Sequence, residues 1–203
     1  MASTILRVGL TGNIASGKST VAGWLSKAGC EVLDADRLAH ECLRTGEATY
    51  EHVVDAFGDA ILVHDGTIDR RALGVLVFSD TEARRRLEAI LHPAIREREQ
   101  RWVAETSQRI ERAVLVTEAA LLYETGSASR YDRMVVVTAP DKIRLQRLVS
   151  KGLPPDEARA RMATQMAQEE KAALADYVID NSGTLESLEK ATLRVAGSLQ
   201  ADL

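Results

Sequence analysis

The chain has 203 residues, 45% of them hydrophobic, enough for one substantial core with room for an inserted subdomain. A net charge of −4, from 30 acidic and 26 basic residues, argues against bulk binding to nucleic acid or to an anionic membrane surface. The two cysteines, Cys30 and Cys42, lack metal-ligand or C-x-x-C spacing, which suits a reducing cytoplasm, and no stretch approaches the roughly 20 apolar residues of a membrane span.

Leu6, Val8 and Leu10 read as a buried first strand, interrupted by Arg7 and therefore no signal peptide. The next residues, Gly12-Asn13-Ile14-Ala15-Ser16-Gly17-Lys18-Ser19, fit G-x-x-x-x-G-K-[ST] at every fixed position. The chemistry of that spacing is specific. Glycines at both ends allow torsions and close approaches that a Cβ would block, so successive N–H groups can turn toward phosphate oxygens. Lys18 supplies a mobile charge for the β- and γ-phosphates, and the Ser19 hydroxyl is a ligand for Mg²⁺. A helix opening here, with Thr20 in its first turn and Val21, Ala22, Trp24 and Leu25 on its apolar face, aims its positive dipole end at the same anion. The pattern predicts a nucleotide-binding loop.

Ala28-Gly29 marks the end of that helix, and Glu31-Val32-Leu33 forms a short strand ending in Asp34-Ala35-Asp36. A right-handed crossover makes the two strands parallel and puts Asp34 and Asp36 on the rim that carries the loop. One of the two acids can cap the following helix. The other reading gives Asp34 a role on an acceptor hydroxyl and Asp36 a supporting one. Residues 37–109 then read as helices: Arg37–Leu43, Tyr50–Phe57 closed by Gly58, Arg70–Phe78 entered through the turn Asp65–Asp69, Glu82–Leu91 and Ile95–Ile110, with Pro93 breaking or kinking the pattern between the last two. His92 before that proline is either a gap-filling structural residue or an acceptor contact. Asp55-Ala56-Phe57-Gly58 fits a GTPase D-x-x-G but lies in a helical pattern, and no N-K-x-D occurs.

Ala113–Val116 is a buried strand leading to Glu118, a candidate for organising a metal, and Arg133–Thr138 is the next strand. Pro140-Asp141 opens a helix with Arg144 and Arg147, which stops at Lys151-Gly152 before Pro154-Pro155; a second helix, Asp156–Met166, carries Arg159 and Arg161. Such a basic hairpin can close over a triphosphate, although each single arginine is equally served by a surface ion pair. Tyr177–Ile179 is a fifth strand and Leu185–Leu199 an amphipathic closing helix.

Several of these segments together resemble the dephospho-coenzyme A kinase family. They are Gly9–Ser19, Asp34–Asp36 with Leu38-Ala39-His40, Leu91-His92-Pro93, Leu121-Leu122-Tyr123-Glu124, Arg161 with Gln165, and Ala175–Gly183. The resemblance implies an α/β P-loop kinase with a five-stranded parallel sheet flanked by helices. It places a nucleotide-binding core at 1–36 and 110–203, a lid at about 141–170 within it, and a helical acceptor-binding insertion at 37–109. It further implies transfer of the ATP γ-phosphoryl to the ribose 3′-hydroxyl of dephospho-coenzyme A. The cysteine usage and the lack of a signal or membrane stretch point to the cytoplasm, and a monomer or weak homo-oligomer is expected. Carried onto this sequence, Gly12 to Thr20 with Asn181 and Gly183 hold ATP. Asp34, Lys18 and a lid arginine, first Arg147 and then Arg144, are catalytic. Thr11, Asp34, Asp36, His40, His92 and Leu121 to Glu124 lie near the acceptor. Asn13 and Ala15 stand where the family commonly has glycine, Ala120 where it has proline, and Ser150-Lys151-Gly152 where it has arginine-aspartate-glycine. The rival readings are another small-molecule or nucleoside kinase on the same core, and an ATP-dependent switch protein.

Overall fold

The computed structural model describes residues 4–203, which divide into two compact units, one ending at Asp34 and resuming at Thr106–Leu203, the other Ala35–Glu105. The first contains five parallel strands in the order β2-β3-β1-β4-β5: β1 Thr4–Thr11, β2 Glu31–Asp34, β3 Arg112–Glu118, β4 Arg133–Thr138 and β5 Tyr177–Asp180. Helices on both faces leave the central strands almost no polar positions, so β3 and β4 read as continuous apolar runs rather than alternating ones. Val8, Leu10, Val116, Val135 and Val137 are fully buried and pack with Val21 and Leu25 of α1 (Lys18–Lys27) and with Leu188 and Leu199 of α9 (Leu185–Asp202). Gly9 lies in β1 because a Cβ there would crowd Met134 Sδ, Tyr131 and Leu122.

Register places the strand ends. Leu10 pairs with Glu118 and Asp34 pairs with Glu118, so the loop after β1 and the acids ending β2 and β3 share one edge of the sheet. Parallel strands expose their ligand crevice at this C-terminal edge.

The second unit is helical: α2 Ala35–Cys42, α3 Ala48–Phe57, α4 Arg70–Ser79 and most of α5 Thr81–Arg109. Cys42, Tyr50, Val53, Ile61, Ile68, Leu73 and Leu91 form its own core. The expected turn chemistry before α4 is present: Asp65 Oδ1 accepts from Thr67 N at 2.9 Å, and Asp69 caps the helix by accepting from Arg71 N and Ala72 N. Pro93 does not interrupt the helix. The two segments expected on either side of it are one helix of 29 residues. A proline inside a helix costs about 3 kcal/mol. Here Leu87, Ile90, Leu91, Ala94 and Ile95 around it all pack on the unit's core and offset that cost.

The other departure lies after β4. Helix α6, Asp141–Ser150, matches expectation, but α7 is Pro155–Ala163 and stops short of Met166. A separate short helix, α8 Gln168–Ala173, follows. The four residues between them have no glycine or proline to end a helix. Among them the Met166 backbone and the Gln165 side chain are instead drawn into long-range hydrogen bonds. Among the described residues no helix is long and apolar enough to cross a membrane.

Candidate active site

The loop from Gly12 to Ser19 is built by three left-handed torsions. Gly12 has φ +150° and Gly17 +105°, and Ala15 is the only non-glycine with positive φ among the described residues, at +61°. An L-residue pays about 1–2 kcal/mol for that conformation. The position that tolerates a left-handed torsion is therefore Ala15, whereas Asn13 keeps negative φ and acts through its side chain. At Gly12 a Cβ would collide with the Val137 carbonyl of β4, and at Gly17 with Asn181 Nδ2. Alternating torsions of this kind turn consecutive N–H groups to one side and form an anion cradle.

The carbonyl side of the loop is held from outside. Arg147 Nη1 donates to Ala15 O at 3.0 Å and Ser16 O at 3.2 Å, and buried Asn181 donates from Nδ2 to Ser16 O at 2.6 Å. Securing these oxygens outward leaves the amides facing inward. Within the loop, Lys18 Nζ donates to Gly12 O at 3.0 Å. The Ser16 hydroxyl is buried with no hydrogen-bond partner. Such an orphaned donor costs about 1–3 kcal/mol and suits a site whose partner is a phosphate oxygen. These features fit a polyphosphate.

For Mg²⁺ the loop offers one oxygen donor, the Ser19 hydroxyl. Ser19 is exposed in the first turn of α1, and among the described residues no group of three or more His, Cys, Asp or Glu forms a cage of its own. Magnesium in nucleotide sites takes one or two protein oxygens plus phosphates and water, which the Ser19 hydroxyl can supply, and the acids ending β2 and β3 lie on the same sheet edge as the loop. Of those acids, Glu118 is buried at 9% exposure and Asp34 is half-buried.

Other expected site residues are distributed unevenly. In the sheet-bearing unit, Thr11 Oγ1 donates to Ala120 O at 3.2 Å and Gly183 lies against Ser187 after β5. Of Leu121 to Glu124, Leu121 is open to solvent, while Leu122 is taken into the core at Gly9. The Tyr123 hydroxyl is buried without a partner, and burial, followed by the charge of Asp176, pushes its pKa up. Glu124 pairs with Lys171 at 2.7 Å. Arg144 is 3% exposed and bonded to Asp141 at 2.7 Å, which leaves Arg147 as the arginine that reaches the loop. Arg159 and Arg161 form surface pairs with Asp156 and Glu157. In the helical unit, Asp36 occupies the first turn of α2, where a carboxylate complements the helix dipole. His40 Nε2 is 2.7 Å from Arg70 Nη2, and His92 is half-buried on α5.

Sequence reasoning placed residues up to about 170 in a lid but attached no contact with the phosphate loop to Gln165 or Met166. Ile14 N donates to Gln165 Oε1 at 2.7 Å, and Asn13 Nδ2 donates to Met166 O at 3.0 Å. The one available signal was Gln165 itself, which belongs to the family resemblance without any role attached.

The dephospho-CoA kinase family model matches residues 6–187. A dephospho-CoA kinase of Geobacter sulfurreducens is 48% identical over 184 residues, covering 90% of this chain and 93% of the relative. The solved dephospho-CoA kinase of Campylobacter jejuni is 27% identical with a TM-score of 0.68, covering 98% of this chain and 99% of that one. A shikimate kinase of Bacteroides thetaiotaomicron, 17% identical with a TM-score of 0.50 over 96% of this chain and 98% of its own, shares the fold. With a matching family model over most of its length and a close relative covering nine-tenths of it, the chain belongs to the dephospho-CoA kinase family of P-loop kinases.

Proposed function

We propose that this chain transfers the γ-phosphoryl of ATP to the ribose 3′-hydroxyl of dephospho-coenzyme A, giving coenzyme A and ADP, the last step of coenzyme A biosynthesis. The observation that carries the reading is the phosphate loop with the strand-end carboxylates of Asp34 and Glu118 on the same sheet edge, in a chain of this family.

Phosphoryl transfer asks little covalent work of a protein; positioning and charge stabilisation dominate. The loop amides and Lys18 bind the β- and γ-phosphates, with Arg147 and Asn181 keeping the loop carbonyls turned away. Asp34 accepts a hydrogen bond from the 3′-hydroxyl and takes its proton as the oxygen attacks the γ-phosphorus. The β–γ bridge bond breaks and ADP leaves with that electron pair, the new negative charge meeting Lys18. Mg²⁺, when bound, supplies charge neutralisation on the phosphate oxygens, with Ser19 as its protein ligand. Residues 37–109 form the acceptor-binding insertion, with Asp36, His40 and His92 contributing to it and Leu121 offering an exposed apolar contact. Gly183 lies near the adenine. The chain works in the cytoplasm as a monomer or weak homo-oligomer, which light scattering after size exclusion checks.

The test mixes the full chain with Mg-ATP and dephospho-coenzyme A and identifies products by mass spectrometry. Coenzyme A formed with matching ADP, and lost in Lys18→Ala, supports the reading. ADP without coenzyme A overturns the acceptor. Asp34→Ala should lower kcat by about 10² to 10⁴ while leaving ATP affinity within a few-fold, the range for a lost general base; unchanged turnover would remove Asp34 from the mechanism.

A further inference from the structure

Lys171 is 0% exposed, the largest fully buried side chain among the described residues, and it is a lysine. Lysine is almost never fully buried unless paired, and its partners are specific. Its Nζ donates to Glu124 Oε1 at 2.7 Å and to Ala120 O at 3.1 Å. Glu124 Oε1 also accepts from Met166 N at 3.1 Å. Met166 O in turn accepts from Asn13, and the neighbouring Gln165 accepts from Ile14 N. Ala120 O meanwhile accepts from Thr11, the residue before the first loop glycine. The bonds close a ring that starts at residue 11, runs through 120, 171, 124 and 166, and returns to the phosphate loop at 13 and 14.

We propose that Lys171 is a positioning residue for phosphoryl transfer: its buried ammonium fixes Glu124, Glu124 fixes Met166, and the Gln165-Met166 step fixes residues 13 and 14 of the phosphate loop. The proposal rests on the reading of Gly12–Ser19 as the ATP loop. Two physical points favour this over a purely structural ion pair. A buried pair is weak evidence for stability, because well-packed apolar residues of similar size serve as well or better. Glu124 also gives the same oxygen to Met166 N in the stretch between α7 and α8, where the Gln165 side chain and the Met166 carbonyl in turn accept from Ile14 N and Asn13 Nδ2 of the loop. Coupling follows from the same ring. Residues 120–124, directly after the β3 acid Glu118, are tied by Lys171 to the loop that holds the donor nucleotide.

The experiment is a double-mutant cycle on the full chain. K171M/E124M replaces the pair by two apolar side chains of similar length, which keeps the site filled while removing the hold on Met166. The expected result is a Tm close to wild type with kcat/KM for ATP lowered by about tenfold to a hundredfold, the scale of an ångström-level misplacement. Gln165→Ala alone should lower it about tenfold, and in the K171M/E124M background by less than about twofold, because both act through one contact. Restoring Glu124 as Gln in the presence of Lys171 keeps an oxygen on Met166 N and should recover most of the rate. A folded double variant with wild-type kinetics overturns the proposal, as do losses that simply add. Should the double variant not fold, amide exchange in the nucleotide-free wild type decides: slow exchange at both Ile14 and Met166 supports the ring, and fast exchange at either overturns it. A wild-type chain that transfers no phosphoryl to dephospho-coenzyme A sinks the function itself, and the proposal with it; an active wild type with an indifferent double variant sinks the proposal alone.

Discussion

The phosphate loop and the strap that crosses it, residues 164–171, solve the same problem in opposite ways. Both have irregular backbone next to a helix start, 12–17 before α1 and 164–167 before α8, and both must hold a single shape. The loop does so mainly through local torsions: Gly12, Ala15 and Gly17 at positive φ, with the ends fixed by β1 and α1. The strap contains no residue with unusual torsions. Its shape comes from partners about 40 to 150 positions away, Glu124, Asn13 and Ile14, and from the buried Lys171. A segment shaped by its own torsions is most sensitive at its glycines, even where remote side chains also grip it. A segment held at a distance tolerates changes in itself but not at its anchors.

That contrast can be broken or sharpened by substitution. The largest effect is expected at Gly17→Ala, where the new methyl meets both a left-handed torsion and Asn181. Loss of about a hundredfold in kcat/KM for ATP is expected; steady-state kinetics near wild type would mean the loop is not held by its torsions. Next comes Asn13→Ala, which removes one hydrogen bond from loop to strap. A net loss of about 1 kcal/mol of strap anchoring should appear as a several-fold rise in KM for ATP with kcat changed less, read by the same assay. Ala15→Gly is a smaller effect of opposite sign. It relieves about 1–2 kcal/mol of left-handed strain against roughly 0.5–1 kcal/mol of added unfolded-state entropy, so calorimetry should show a Tm equal to or slightly above wild type. A fall would place that strain elsewhere. The smallest is a control remote from both regions. Burial pushes the Cys30 thiol up from 9.0 to about 11. The folded state holds its proton longer than the unfolded chain, so stability is fully present below pH 9 and declines as pH rises toward 11. Cys30→Ala should flatten denaturant midpoints across that window while leaving turnover unchanged.

Legibility followed the same division. Asp69 as the cap of α4, Gly58 after α3, and Gly12 and Gly17 in the loop were readable because each answers a local steric or hydrogen-bonding demand. Pro93 was expected to break or kink the pattern, and it does not break it for the converse reason: the local cost is real, but side chains on both sides of it pack into one core and outweigh it. The end of α7 was placed too late because nothing in Thr164-Gln165-Met166-Ala167 stops a helix. Glu124 was assigned to the acceptor region by resemblance, and its partner Lys171 drew no attention at all, since a lysine in a helical, Glu-rich stretch reads as a solvated face.

By itself the sequence determined the parallel α/β core, the phosphate loop and the order of the five strands along the chain, because periodicity, glycine torsions and crossover handedness are properties of short segments. Only the tertiary structure decided which strand ends share an edge, that Arg147 and Asn181 grip the carbonyl side of the loop, and that a buried ammonium joins Glu124 to Met166. Those contacts pair residues separated by 40 or more positions, and a hydrogen bond reaches only about 3 Å; until the chain is folded, nothing local distinguishes Lys171 from any other lysine.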